Sequence, residues 1–220
     1  MTMDIEPGVA SAPSPAGRDV GAQSVRAFLE ALASGAPSPG GGSAAAVAGA
    51  LAAAIVAMSS RVTADRDPAA ADLAEAATAA DHLRRRLTAL AGADADAYEA
   101  LLAARRLPVT VRAAAAQAAL RRATDVPIDL VAAARDTLAM CERVVRRVRA
   151  STLSDLQVAN AIAVAALEAG AITAQTNLRD STDREFAGAV RREVDQRVAE
   201  GRVLAQRVAD AIADRVGSAE

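Results

Sequence analysis

The sequence contains no lysine and no tryptophan, one cysteine, one histidine, one tyrosine and two phenylalanines in 220 residues. Each shortage removes a class of chemistry. Without lysine there is neither a Schiff-base nucleophile nor a Walker-type phosphate lysine, and all 25 basic side chains are guanidiniums. Cys141 alone cannot close an internal disulfide, and His82 alone cannot supply the paired ligands of a zinc or di-iron site, so no metal centre is expected. Phe28, Tyr98 and Phe186 are too few to fill a sheet core, and an all-β fold is excluded. With 25 basic against 27 acidic groups the net charge is -2, which gives no electrostatic footprint for nucleic acid. The first residues carry Asp4 and Glu6 and no basic, apolar leader, so no signal peptide is read and a cytoplasmic address is the default expectation. The 15 consecutive apolar or glycine residues from Ala44 to Met58 fall short of the roughly 20 that span a bilayer. They are read as a buried core helix, with no membrane partner.

What is abundant is alanine, 62 residues, within a chain that is 52% hydrophobic. Alanine, arginine and leucine all favour helix. The expectation is a single all-α domain, a multihelical bundle of about six or seven helices from residue 23 to 220, preceded by a disordered Pro/Gly-rich tail over residues 1–22. Alanine-rich helices bury little area each, so the bundle is expected to dimerise. Val25 to Leu32 reads as a short amphipathic helix stopped by Gly35 and Pro37. Further breaks are expected near Asp67-Pro68, Leu107-Pro108, Val126-Pro127, Ala150 to Ser154 and Asp180 to Thr182. Two helix starts have capping-box form, Ser154 to Gln157 and Thr182 to Glu185. The last helix, Asp183 to about Arg215, aligns Val190, Val194, Val198, Val208 and Ile212 along one stripe.

Two features point to chemistry. Pro37-Ser38-Pro39-Gly40-Gly41-Gly42-Ser43 contains a GxGxxA string, but helix rather than strand precedes it, so a dinucleotide site is rejected. Three glycines do allow close backbone approach to a ligand, with Ser43 as cap of the apolar helix that follows; a sharp inter-helix turn is the alternative. The second feature is a seam: Leu73, Ala76, Ala80, Leu83, Leu87 and Leu90 recur at three-and-four spacing, continue to Ala97 and Leu101, and place Asp94 among them. A carboxylate on an apolar seam is desolvated, and its pKa rises toward the range useful for acid–base work. The alternative is that Gly92 resets the helix and Asp94 begins another. Asp96 and Glu99 fall off the seam. His82, in a charged patch with Arg84, Arg85 and Arg86, reads as a surface histidine, and Cys141 as a buried structural thiol.

The glycine loop, Asp94-Ala95-Asp96-Ala97-Tyr98, Leu107-Pro108, Val126-Pro127, Ser154-Asp155-Leu156-Gln157-Val158-Ala159, and Asn177-Leu178-Arg179-Asp180 with Thr182-Asp183 and Phe186 follow in an order that resembles the formiminotransferase-cyclodeaminase family. The resemblance is to its cyclodeaminase and methenyltetrahydrofolate cyclohydrolase domain, over about Val25 to Glu200. It implies an all-helical, dimerising domain acting on a reduced folate, with no metal and no cofactor beyond that substrate. It further implies Asp94 as the catalytic residue, and Pro39, Gly40, Gly41, Gly42 and Ser43, with Asp155 and Asn177, as substrate-binding. The expected activity is formimidoyltetrahydrofolate cyclodeaminase. The alternatives are methenyltetrahydrofolate cyclohydrolase and a non-catalytic helical partner-binding protein of the same descent. The sequence departs from the family pattern at Val109, where lysine is usual, at Thr173, where asparagine is usual, and at Asp65-Arg66-Asp67, where glycine and basic residues are usual; Arg66 is a candidate replacement cation.

Overall fold

The computed structural model describes residues 19–67 and 70–217, and these form six α-helices and no strand. They are α1 (Val25–Ala33), α2 (Gly41–Ala64), α3 (Ala71–Arg105), α4 (Val109–Val145), α5 (Leu153–Arg179) and α6 (Arg184–Gly217). Of the expected tail, residues 1–18 lie outside the described residues. Val20–Ala22 form a turn of 3₁₀ helix, capped by the Asp19 carboxylate, which accepts from the Gly21 N–H at 2.9 Å.

The apolar run forms the 24-residue helix α2, which packs against α3, α4 and α5. By length and composition α2 and the segment Ala150–Arg179 are each able to cross a bilayer. In the bundle both instead bury one side: Ala52, Ala53 and Val56 of α2, and Leu156, Ala163 and Leu167 of α5, are fully enclosed. Side chains this small let helices approach closely, and glycines bring them closer still. A Cβ on Gly49 would sit 3.0 Å from Leu87 Cδ2 and 3.4 Å from Ala166 Cβ, so α2, α3 and α5 meet at that point. Helices α2 and α3 run antiparallel, since Gly42 faces Asp94 and Arg61 pairs with Asp81. Helix α5 is also antiparallel to α2, because the Arg149 N–H just before it donates to Thr63 Oγ1 at the far end of α2. The leucines at the centre, among them Leu73, Leu87, Leu130, Leu138 and Leu167, contribute about 1.5–3 kcal/mol each by full burial.

Several local expectations are corrected. Val126-Pro127 breaks nothing: α4 runs through it, with Pro127 buried in its interior. Gly92 does not reset α3, which is continuous for 35 residues and keeps Asp94 in phase with the seam. Ser154 makes no capping box, since α5 begins one residue earlier and Thr152 occupies its cap without a side-chain bond. At α6 the cap is Asp183, whose Oδ1 accepts from the Phe186 N–H at 2.9 Å. Thr182 instead donates from both its N–H and its hydroxyl to Gln117 Oε1, at 3.0 and 3.1 Å, tying the loop to α4.

Candidate active site

Where α2 begins, three features of the glycine loop converge on one carboxylate. Gly40 is the N-cap of α2, without a side-chain bond, and Gly41, Gly42 and Ser43 form its first turn. Ser43 is therefore not the cap expected from sequence. It is fully buried and reaches across to α3, where its Oγ lies 2.9 Å from Asp94 Oδ2 and 2.9 Å from the Ala91 carbonyl. Gly42 lies directly beneath Asp94; a Cβ built there would overlap the carboxylate group. The free amides and positive dipole end of α2 thus face Asp94.

Asp94 is half-buried. Desolvation pushes its pKa above the ordinary carboxylate value, and the Ser43 side-chain and backbone donors pull partly the other way. Ser43 has one hydroxyl proton and two neighbouring acceptors, which gives it two states. With Asp94 ionised, Ser43 donates to Oδ2. With Asp94 protonated, the carboxyl donates to Ser43 Oγ and the Ser43 proton turns to the Ala91 carbonyl. Asp94 therefore keeps a hydrogen bond on both sides of a proton transfer.

Asp94 lies in a cleft of about 260 Å³ between the glycine loop, α3, α4 and α5. Gly40, Gly41 and Gly42 line one side, Tyr98 and Leu101 extend the α3 wall, and Ile172, Thr173, Thr176 and Asn177 form the α5 wall. Asn177 is fixed by an unusual partner. Pro127 has no N–H, so the Ala123 carbonyl four residues back lacks its helical donor, and the Asn177 amide supplies one at 3.1 Å. The Asn177 amide nitrogen is thereby committed to the fold, which leaves its oxygen as the group able to accept from a ligand. Pro39 follows a cis Ser38-Pro39 bond and is half-buried beside the cleft, while Pro37 and Ser38 line it directly.

Not every sequence-predicted residue arrives. Asp155 is exposed in the first turn of α5 and Asn177 lies in its last, so about 33 Å of helix separates them in the same chain. Arg66 follows the C-terminus of α2, roughly 35 Å from the glycines at its start, and supplies no cation to the cleft of its own chain. No guanidinium lines the cleft among the described residues. Val109 opens α4, 78% exposed. His82 is on the surface beside Arg85, and Cys141 is buried, its thiol pushed up to about 12 by desolvation. Ile172 and Thr176 were not singled out in the sequence, where they are an ordinary part of an apolar helix; only the packing of α5 against the glycine loop brings them to Asp94.

A helical bundle with one desolvated aspartate held at a helix N-terminus defines the class of site, and sequence comparison supplies the family. Residues 24–196 match the profile of the formiminotransferase-cyclodeaminase family. The chain is 34% identical over 205 residues to a methenyltetrahydrofolate cyclohydrolase of Methylorubrum extorquens, covering 89% of this chain and 99% of that one. It is 33% identical over 210 residues to the formimidoyltransferase-cyclodeaminase of Sus scrofa, covering 87% of this chain but 37% of the longer relative. Among solved structures it resembles formiminotetrahydrofolate cyclodeaminase from Thermotoga maritima, with a TM-score of 0.80 and 25% identity over 90% of this chain and 99% of that one. The chain belongs to the formiminotransferase-cyclodeaminase family.

Proposed function

We propose that this protein is a folate one-carbon enzyme, a methenyltetrahydrofolate cyclohydrolase, in which Asp94 is the general base. The observation that carries the reading is the Ser43–Asp94 pair at the start of α2, within a chain aligned along nearly the whole length of a relative with that activity. This reverses the order in which the sequence alone ranked the two activities. In the reaction, water adds to the cationic carbon that bridges nitrogens 5 and 10. Asp94 takes the proton of that water, its negative charge also stabilises the neighbouring cation, and Ser43 returns its hydrogen bond to the Ala91 carbonyl as Asp94 becomes neutral. The bond from the bridge carbon to nitrogen 5 then breaks as the remaining hydroxyl proton leaves to solvent, nitrogen 5 takes the proton that Asp94 returns, and 10-formyltetrahydrofolate results with one proton released overall. Gly40 to Gly42 let the flat ligand lie close to the backbone, and the Asn177 oxygen accepts from it. No metal or further cofactor has a role in these steps, and the working unit is taken to be a cytoplasmic homodimer.

The second reading is formimidoyltetrahydrofolate cyclodeaminase, favoured by the likeness to the Thermotoga structure. There nitrogen 10 attacks the formimidoyl carbon, its proton passes to the formimidoyl nitrogen, a protonated Asp94 delivers a second proton to that nitrogen as its bond to carbon breaks, and ammonia leaves the cationic methenyl bridge. The ultraviolet absorbance of that bridge tests both. Accelerated loss of the absorbance from methenyltetrahydrofolate supports the cyclohydrolase. Its growth from formimidoyltetrahydrofolate, with ammonia released, supports the cyclodeaminase, and neither change would leave the non-catalytic reading.

A further inference from the structure

Two walls of the cleft can be followed past its last lining residues. On α3 the residues that face it, Asp94, Tyr98 and Leu101, recur four and three apart, and the next position of that stripe is Arg105. On α5 the stripe of Thr173, Thr176 and Asn177 leads to Asp180, the C-cap of the helix. The two stripes meet there. Arg105 Nη2 donates to Asp180 Oδ2 at 2.9 Å, so the pair joins the α3 and α5 walls where both helices run on past the start of α2. Gln117 of α4 donates to the Asp180 carbonyl at 3.0 Å and fixes this end of the cleft. Both side chains of the pair keep much of their surface in water, 47% for Arg105 and 62% for Asp180. An ion pair this exposed adds little to stability and exchanges readily for another carboxylate.

We propose that Arg105 binds the glutamate carboxylates of the tetrahydrofolate substrate, giving up Asp180 for the ligand; the assignment rests on the folate reading above. Along α3, Arg105 stands about 16 Å beyond Asp94, and its long side chain leans back toward the helix N-terminus. With the bridge carbon against Asp94, the p-aminobenzoyl group and its amide carry the glutamate carboxylates about 10–13 Å away at ordinary bond lengths. The two spans match. Tyr98, the aromatic ring of the α3 wall, lies between the ends, where the benzoyl ring passes. Neighbouring guanidiniums are placed otherwise. Arg106 and Arg179 stand one position off the two stripes, about 100° round their helices. Arg121 is held by Asp183 and lies over the Phe186 ring, 4.3 Å from its centre. In the free protein Asp180 keeps the Arg105 fork extended across the end of the cleft, and a planar fork is suited to accept a ligand carboxylate through two parallel bonds.

The test compares methenyltetrahydrofolate with methenyltetrahydropteroate, which lacks the glutamate, or the formimidoyl forms of both if those are the ones turned over. Wild type should show a KM at least about tenfold lower for the glutamate-bearing substrate, the size expected of one charge-assisted contact. Arg105→Ala should raise that KM to about the pteroate value, with the pteroate KM and both kcat values within about twofold of wild type. Asp180→Asn should leave the KM for the glutamate-bearing substrate at or below that of wild type, since it removes a competitor for the guanidinium. A KM that rises equally on both substrates, or equally in both variants, would make the pair a strut of the fold and overturn the proposal. So would an Arg105→Ala protein that keeps the wild-type preference for glutamate. Each of these failures leaves the folate reading standing, whereas a wild type that turns over neither pair of substrates would refute that reading and this assignment together.

Discussion

Pro127 and Asn177 form a compensating pair: the proline withholds a donor from the Ala123 carbonyl, and the asparagine 50 residues later in the chain provides one from α5. The pairing joins α4 to α5 at the cleft wall. Asn177→Ala should cost about 1–2 kcal/mol, since it leaves a carbonyl without a partner. In a Pro127→Ala background the new N–H bonds Ala123 itself, and the same substitution should cost clearly less. Urea denaturation of the four proteins measures the difference, and equal costs in both backgrounds would sink the compensation.

Gly42→Ala should lower turnover by about 100-fold with the circular dichroism spectrum unchanged, because the added methyl displaces the Asp94 carboxylate. Gly41→Ala, where a Cβ meets nothing within 4 Å, should keep kcat within a few fold. Steady-state kinetics of the two variants separate the contact from a general need for glycine.

Asp94→Asn should reduce turnover by ~10²–10⁴-fold. It should also raise the melting temperature at pH 7. Burial lifts the folded-state pKa of Asp94, so the neutral carboxyl is the form the fold favours. That stability is fully present below the unfolded value of about 3.9 and is lost as pH rises through the folded value. The stabilisation by asparagine should therefore vanish when the melts are repeated near pH 3.

Ser43→Ala removes a donor that holds the Asp94 pKa down, so that pKa should rise further. For a cyclohydrolase, which needs the base ionised, the acid limb of the kcat/KM profile should move to higher pH. For a cyclodeaminase, which needs the acid protonated, the alkaline limb should move in the same direction. The profile thus tells the two chemistries apart as well as testing the Ser43 contact; a limb that stays in place would exclude that contact from the titration.

Asp94 was legible in the sequence because helical periodicity is local and α3 keeps its phase from Leu73 to Leu101. The glycine loop was legible as a special turn for a similar reason. The reason for Gly42 was not, since it depends on a residue 52 positions away on a different helix. Pro127 misled because proline reads as a stop, and its tolerance comes from an asparagine that no local window contains. Ser43 was given a local duty as a cap, whereas its hydroxyl spans to α3. Asp155, within a family-like motif, and Arg66, a candidate cation where the sequence departs from the family pattern, both stand at the far end of the bundle, a placement set only by the antiparallel course of α2 and α5.

The enclosure of Cys141 by α4 has a practical consequence. A thiol held as neutral SH and shut off from water does not compete for maleimide reagents in the native protein. Any cysteine introduced on the surface becomes a single addressable handle, so fluorophores can be placed one per chain without first stripping the native sulfur.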